Sequence, residues 1–112
     1  MSLNTLILTG YLGNHPKFLA TTSGRKKASF SVATSRSFKA ADGSKTIETE
    51  WTPVVAWGRL ADRAEKLLNR GAYVLVMGEK RTRTYTDGNG VEHTIVELLA
   101  ADFRLLAKKS AN

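Results

Sequence analysis

The sequence contains no cysteine among its 112 residues. This absence excludes disulfide bonds, thiolate nucleophiles and zinc sites built on cysteine, and it fits a reducing compartment. No apolar run approaches the roughly 20 residues that a membrane-spanning helix needs, so we expect no membrane partner. The opening residues, Met-Ser-Leu-Asn-Thr-Leu-Ile-Leu, lack the basic segment and cleavage site of a secretory signal peptide. We therefore expect one soluble, intracellular domain.

Acidic residues are also scarce, with 10 Asp and Glu against 17 Lys and Arg, which gives a formal net charge of +7. The imbalance is strongest before residue 48, where Asp42 is the single acid. A basic surface of this kind favours a polyanionic partner. The cations of this part are Lys17, Arg25, Lys26, Lys27, Arg36, Lys39 and Lys45.

Side-chain arrangements typical of enzymes are missing as well. His15 and His93 are far apart in the sequence, and neither has further metal ligands nearby. Glu48 and Glu50 alternate along a strand without a neighbour that would activate them or serve as a nucleophile. The glycine-rich residues 88–90 lack the helix and the lysine of a phosphate-binding loop. The sequence thus predicts no enzyme, no catalytic residue, no metal site and no cofactor.

Residues 48–60 hold both tryptophans of the chain and read as a strand that turns into a helix. The two-residue period of a strand places Trp51 and Trp57 on the same face. That face is either a packed interior or a surface open to a ligand. Pro53 removes one backbone donor from the ladder, which predicts an edge or a bulge at this point.

Alternating apolar residues predict five strands, at residues 3–12, 28–38, 48–57, 73–85 and 91–99, with a further short extended piece at 17–20. An apolar stripe of helical period at Leu60, Ala64, Leu67 and Leu68 predicts a helix over residues 59–70, between the third and fourth strands. This order is that of the OB fold, an all-β, five-stranded Greek-key barrel with one helix. An SH3-like barrel and an unrelated α+β domain remain as alternatives. The barrel domain is assigned to residues 1–106, and residues 107–112 form a short polar end.

Aromatic residues stand beside cations at several points of the chain. A flat ring can stack on any nucleotide base while a neighbouring cation meets the phosphate, so this pattern is typical of proteins that bind single-stranded nucleic acid. The polar turn before the second long strand carries three consecutive cations and suits phosphates. The alternative for each ring is an ordinary place in the core. The pairs are Phe38 between Arg36 and Lys39, Trp57 before Arg59, and Tyr85 at the end of the basic run 80–85.

Three blocks of the sequence, taken in order, resemble one known family. They are Asn-Thr-Leu-Ile-Leu-Thr-Gly-Tyr-Leu-Gly at residues 4–13, Thr-Glu-Trp with Val-Val-Ala-Trp-Gly-Arg-Leu-Ala at 49–61, and Arg-Thr-Arg with an aromatic two residues later at 81–85. The chain resembles the bacterial single-stranded DNA-binding proteins from residue 4 to about residue 106. The resemblance implies a cytoplasmic, nucleoid-associated protein that binds and protects single-stranded DNA without strong sequence preference during replication, recombination or repair. It also implies a homo-oligomer, a tetramer by resemblance, with a dimer left open.

By this resemblance the base-stacking residues are Phe38, Trp51, Trp57 and Tyr85. Phe38 and Tyr85 stand where the family frequently has tryptophan, and Trp57 where it has phenylalanine. The phosphate-binding residues carried over from the family are Arg59, Arg70, Arg81 and Arg83, and local charge adds Arg25, Lys26, Lys27, Arg36 and Lys39. Thr52-Pro53 replaces a His-Arg pair of the family, which leaves one phosphate contact and one contact between subunits in doubt.

Members of the family typically carry a disordered linker and an acidic tail that recruits repair and replication enzymes, whereas this sequence stops at Asn112. Either the sequence is trimmed to the domain, or this is a specialised form without that docking function, so tail-mediated repair-protein partners are doubtful. Three rival functions stay open. They are a tail-less primosomal replication-restart accessory dimer of the same fold, an RNA-binding OB domain, and a protein-interaction barrel whose indoles are core.

Overall fold

A computed structural model describes residues 2–108 and shows six strands and one helix. The predicted polar end at 107–112 lies outside these residues except for Ala107, the last residue of the final strand, and Lys108. In chain order the elements are β1 (Leu6–Leu12), β2 (Lys17–Ala20), β3 (Lys26–Lys39), β4 (Lys45–Trp57), α1 (Arg59–Leu67), β5 (Tyr73–Thr86) and β6 (Glu92–Ala107).

Five of the strands close into a barrel in the order β1-β5-β6-β4-β3, and β3 returns to β1 through the pairs Tyr11–Ala33 and Leu12–Val32. The short strand β2 pairs with β3 alone in the described part of the chain, so it lies outside the ring. The helix α1 lies between the third and fourth strands of the barrel. The predicted fold, an all-β five-stranded OB barrel with one helix at this place, is confirmed.

The inner face of each barrel strand supplies the core, as the alternation of the sequence requires. Ala28, Phe30 and Val32 of β3 are at most 3% exposed, and Val54 and Ala56 of β4 are at most 1% exposed. The helix closes one end of this core and contributes Ala61 and Ala64, with Leu68 directly after it. Since this core is built without either tryptophan, both indoles lie on the outer side of the sheet.

The helix is shorter than the sequence predicts. It ends at Leu67 instead of residue 70, because Leu68 takes an extended conformation with φ −104° and ψ 132°. This turn buries Leu68 at 2% exposure and leaves Leu67 39% exposed, so Leu67 does not belong to the buried stripe. Gly71, with φ 90°, then donates its N–H to the carbonyl of Leu12 and leads the chain into β5.

Two hairpins extend beyond the barrel. Their residues on β3, β4 and β5 are exposed, while β6 keeps a half-buried face at His93, Ile95 and Glu97. The first arm joins β3 to β4, and its last pair is Lys39–Lys45. The second arm joins β5 to β6 and reaches the pair Thr86–Glu92. A register shift at Met77/Gly78 marks the point where β5 leaves the barrel for this arm. The predicted hairpin turns at Asp42-Gly43 and at residues 87–90 are at the two tips.

Pro53 lies in a continuous ladder opposite Ser31, without a bulge. The Ser31 N–H donates to the Asn14 side chain, and the Ser31 carbonyl accepts from the Gly13 N–H. Ser31 therefore points its backbone groups away from β4, and no donor is required of Pro53. The pairing of β4 with β6 covers Val54 and Val55 only, so Pro53 stands at an edge, one of the two predicted alternatives.

Candidate nucleic-acid interface

The outer face of the sheet formed by β4, β6 and β5 carries three of the four predicted stacking residues. Trp51 and Trp57 share a face with Val55, which pairs with Leu99 of β6. Two-residue steps along β6 lead from Leu99 to His93, whose cross-strand partner is Tyr85. Trp51, Trp57 and Tyr85 are thus brought to one side of the molecule by register alone.

Trp51 is 57% exposed and stands opposite Ala33 of β3. Its indole covers Gly13, where a Cβ atom would lie 2.0 Å from the indole Cζ3 atom. The absence of a side chain at Gly13 therefore creates the place in which the indole rests. The remaining surface of the ring is open to a base.

Trp57 is half-buried and carries cations against its ring. The Arg25 guanidinium carbon lies 4.6 Å from the ring centroid, and the Lys27 ammonium lies 5.7 Å from it. Both distances are within the range of cation–π attraction. The cationic turn before β3 is thereby held beside a predicted stacking residue, whereas the sequence pairs Trp57 with Arg59.

Tyr85 is 43% exposed, and one side of its ring is covered by His93. The two ring centroids are 5.1 Å apart and the planes are inclined by 19°, a stacked pair. In the sequence alone, His93 reads as a lone histidine. The signal that could have placed it is the hairpin turn at residues 87–90, since pairing outward from that turn brings residue 93 opposite residue 85.

Phe38 is 47% exposed but does not join the other three rings. It stands opposite Thr46 in the first arm, and the ladder from there to Trp51 has no register shift. Counting by two therefore places Phe38 on the opposite face of the ribbon from Trp51. The Arg36 guanidinium carbon lies 6.0 Å from the Phe38 ring centroid, and Nη2 of the same group pairs with Glu48 at 3.2 Å. Phe38 and Lys39 line a separate hollow of about 350 Å³ together with Lys45.

A basic groove of about 480 Å³ opens on the same outer face. It contains Lys27, which contacts Trp57, and Pro53, which is two residues from Trp51 on the same face. It also contains Arg83, two residues from Tyr85 on the same face. The groove and the three rings therefore share the outer face of the sheet. Its remaining lining residues are Asn14, Lys17, Ser29, Phe30, Ser31, Val54, Val55 and Glu97.

Carboxylates accompany several of the predicted phosphate ligands. Arg83 pairs with Glu97 at 3.1 Å, and Glu97 also lies directly opposite Arg81 in the ladder. Arg81 itself pairs with Glu79 at 3.7 Å. The Arg81–Glu79 pair is exposed at both partners, whereas the Glu97 side chain is largely covered. Exposed ion pairs are worth little, about 0.2 to 1 kcal/mol, so a phosphate can displace the Glu79 carboxylate.

Lys26 faces away from the groove, on the side of the helix. Its ammonium lies 2.5 Å from a Glu65 oxygen and 3.3 Å from an Asp62 oxygen. These contacts raise the pKa of Lys26 above its ordinary value, and the hydrogen bond to Glu65 contributes most. The structure thus places Lys26 as a link between β3 and α1.

The two remaining predicted cations lie at the ends of the helical region. Arg59 is the first residue of α1 and borders a second hollow of about 580 Å³ together with Arg25 and Phe18. Arg70 lies in the connection to β5, and its backbone N–H donates to Nδ1 of His15 at 3.3 Å. Lys17 lines the basic groove but was not among the predicted site residues. Its pairing opposite Ser29 of β3 depends on β2, a strand of four residues that the sequence signals only weakly.

Within residues 2–108, no group of three or more His, Cys, Asp or Glu side chains is arranged to hold a metal ion. No helix in the same part of the chain is long and apolar enough to cross a bilayer.

Comparison with known proteins gives a consistent result. The model of the single-strand binding protein family matches residues 3–106. Single-stranded DNA-binding protein 1 of Chlorobaculum tepidum is 36% identical over 110 residues, which cover 97% of this chain and 68% of that protein. The single-stranded DNA-binding protein of Neisseria meningitidis serogroup A is 32% identical over 112 residues, covering 100% of this chain and 64% of that protein.

A solved structure, a Plasmodium falciparum SSB complex with ssDNA, superposes with a TM-score of 0.85 at 26% identity and covers 97% of both chains. The chain spans about two thirds of the length of the two curated relatives named above. The resemblance that the sequence blocks predict is confirmed by the family match. This chain belongs to the single-strand binding protein family.

Proposed function

We propose that this chain binds and protects single-stranded DNA without strong sequence preference, in DNA replication, recombination or repair. The observation that carries the proposal is the outer face that Trp51, Trp57 and Tyr85 share with Lys27 and Arg83, two cations of one basic groove. It acts by binding and not by catalysis. The proposal assigns this activity to residues 1–106 and places the protein in the cytoplasm, associated with the nucleoid.

Two kinds of contact share the work of binding. Each exposed ring stacks on one base, which contributes about 1 to 3 kcal/mol whatever the base is. Arg83 and Lys27 meet the backbone between the stacked bases, and each neutralised phosphate releases counterions. Because neither contact reads a base edge, the surface accepts any sequence.

A second surface supports the proposal of a homo-oligomer. The outer side of β1 and β5 exposes Ile7 (55%), Tyr11 (58%) and Met77 (37%), side chains of a kind that a partner normally covers. Within the described residues, Leu6–Gly10 of β1 pair with β5 alone, which leaves a free strand edge beside this patch. A second copy of the chain fits both features. Membership of the family favours a tetramer over a dimer.

The test is a titration of tryptophan fluorescence with oligo-dT, combined with the mass of the protein by sedimentation. We expect quenching that saturates, together with a tetrameric mass. Absence of quenching would favour a protein-interaction barrel, and tighter binding to RNA of equal length would favour an RNA-binding domain. A dimer with weak affinity would favour a replication-restart accessory protein.

A further inference from the structure

The tip of the β5–β6 arm holds a cluster that the general mechanism of stacking does not require. The cluster consists of Asp87, His93 and Tyr85. Nε2 of His93 lies 2.7 Å from Oδ2 of Asp87, and the His93 ring stacks on the Tyr85 ring. The three side chains join the turn of the hairpin to the ring that we propose to stack on a base.

Asp87 is fixed by the turn itself. Its Oδ1 atom accepts the N–H of Asn89 at 2.9 Å and the N–H of Val91 at 3.0 Å. The hydrogen bond from His93, followed by that from Val91, lowers the pKa of Asp87 below its ordinary value. The carboxylate is therefore ionised at neutral pH and can only accept, so the Nε2–H of His93 is the donor.

This hydrogen bond fixes the plane of the imidazole. A ring held at one edge by a charged acceptor loses its freedom to rotate about χ2, and the surface that it offers to Tyr85 is then constant. Tyr85 in turn packs one face on that surface, at a centroid distance of 5.1 Å. The ring is still 43% exposed, so a base can reach the part that His93 does not cover.

We propose that His93 and Asp87 are positioning residues that hold the Tyr85 ring ready to receive one nucleotide base on its open face. The inference rests on the proposed function and deepens it. The ring is oriented before the nucleic acid arrives, so less side-chain freedom is lost on binding. Because His93 occupies the second face, Tyr85 caps a base and does not insert between two bases.

The test compares affinities of the full chain for oligo-dT across a set of variants. His93→Ala removes the supporting ring, and we expect the Kd to rise about two- to tenfold, the cost of ordering one mobile side chain on binding. His93→Phe keeps a stacked ring without the donor, and it should fall between His93→Ala and the wild type. Thr94→Ala, on the opposite face of the same strand, is the matched control and should bind as the wild type does.

A double-mutant cycle with Tyr85→Ala separates positioning from a direct contact. If His93 acts through Tyr85, His93→Ala has no further effect once Tyr85 is replaced by alanine. An equal loss in both backgrounds would overturn the inference, as would wild-type affinity of His93→Ala. An unchanged affinity of Tyr85→Ala would overturn it too, while leaving the proposed function standing. A wild-type protein that fails to bind oligo-dT would overturn both.

A spectroscopic readout checks the geometry without any ligand. Stacking on His93 shifts the ring protons of Tyr85 upfield in the NMR spectrum. We expect this shift to persist in His93→Phe and to disappear in His93→Gln, which keeps a donor for Asp87 but has no ring. Loss of the shift in both variants, or in neither, would contradict the arrangement.

Discussion

The indole of Trp51 occupies the space that a side chain at Gly13 would need, since a Cβ atom there would lie 2.0 Å from Cζ3 of the indole. Gly13→Ala therefore forces the indole out of its place. We expect weaker binding of oligo-dT, with the Kd raised by at most about 5- to 150-fold, because loss of a whole stacking ring costs about 1 to 3 kcal/mol. The measurement is a fluorescence titration at constant salt.

Gly88→Ala is the matched control for that substitution. A Cβ atom at Gly88 meets nothing within 4 Å, and the residue is not among those with positive φ. This variant should bind as the wild type does. If Gly13→Ala also keeps wild-type affinity, the contact with Gly13 does not position the indole.

Stacking and charge are separable by salt dependence. Trp51→Ala should lower affinity at every salt concentration by a similar factor, because stacking involves no counterion release. Arg83→Ala should instead reduce the log–log slope by about 0.7, the value for one phosphate contact with a single strand. Titrations between low and moderate salt measure both slopes.

Glu97→Gln should have the opposite effect on affinity to Arg83→Ala, because it removes a negative charge beside Arg83. Its carboxylate pairs with Arg83 at 3.1 Å, and the amide removes the negative charge while keeping an acceptor. Binding should then become tighter at low salt.

If Trp51→Ala and Arg83→Ala show identical log–log salt slopes, then stacking and phosphate contact are not divided between these two residues.

The alternation of the strands made the fold and much of the site predictable. A period of two places Trp51 and Trp57 on one face whatever the tertiary structure is, and the buried faces of β3 and β4 follow the same rule. The end of the helix was not predictable in this way. Leu67 and Leu68 are chemically alike, and only the path of the chain into β5 decides which of them is buried.

Other parts of the surface depend on pairing across long distances in the sequence. Lys26 reads as one of three equal cations, yet its register on β3 turns it toward Asp62 and Glu65 of the helix. His93 becomes part of the surface only through its register opposite Tyr85. Charge and composition report neither relationship, because both are set by which strands and helices meet.

Asp102 links the stability of the fold to pH. Two hydrogen bonds hold the pKa of Asp102 below its ordinary value of 3.8. The larger effect comes from the Phe103 N–H and the next from Arg63. Arg63 also lies over the Phe103 ring, at 4.4 Å from its centroid, so the group ties the helix to β6. A carboxyl with a lowered folded pKa stabilises the fold above pH 3.8 and loses this contribution as the pH falls through the folded pKa.

The expected outcome is a midpoint of thermal unfolding that falls below about pH 4 in the wild type. Asp102→Asn should be less stable at neutral pH, and the gap between the two proteins should narrow as the pH falls through this window. Circular dichroism melts at a series of pH values measure the gap. Curves that stay parallel down to pH 2 would mean that Asp102 makes no acid-sensitive contribution.

Phe38 stands apart from the other three rings, on the opposite face of the β3–β4 ribbon from Trp51. A short oligonucleotide bound along the outer face should not reach it, whereas a longer strand that continues onto the arm should. Single OB folds cover about 4 to 16 nucleotides. We therefore expect Phe38→Ala to leave the affinity for an oligo-dT of about 5 nucleotides unchanged and to weaken binding of one of about 16 or more. Trp51→Ala should weaken binding of both oligonucleotides.

An equal effect of Phe38→Ala on the short and the long oligonucleotide would place Phe38 on the path that short strands take. No effect at either length would remove Phe38 from the interface.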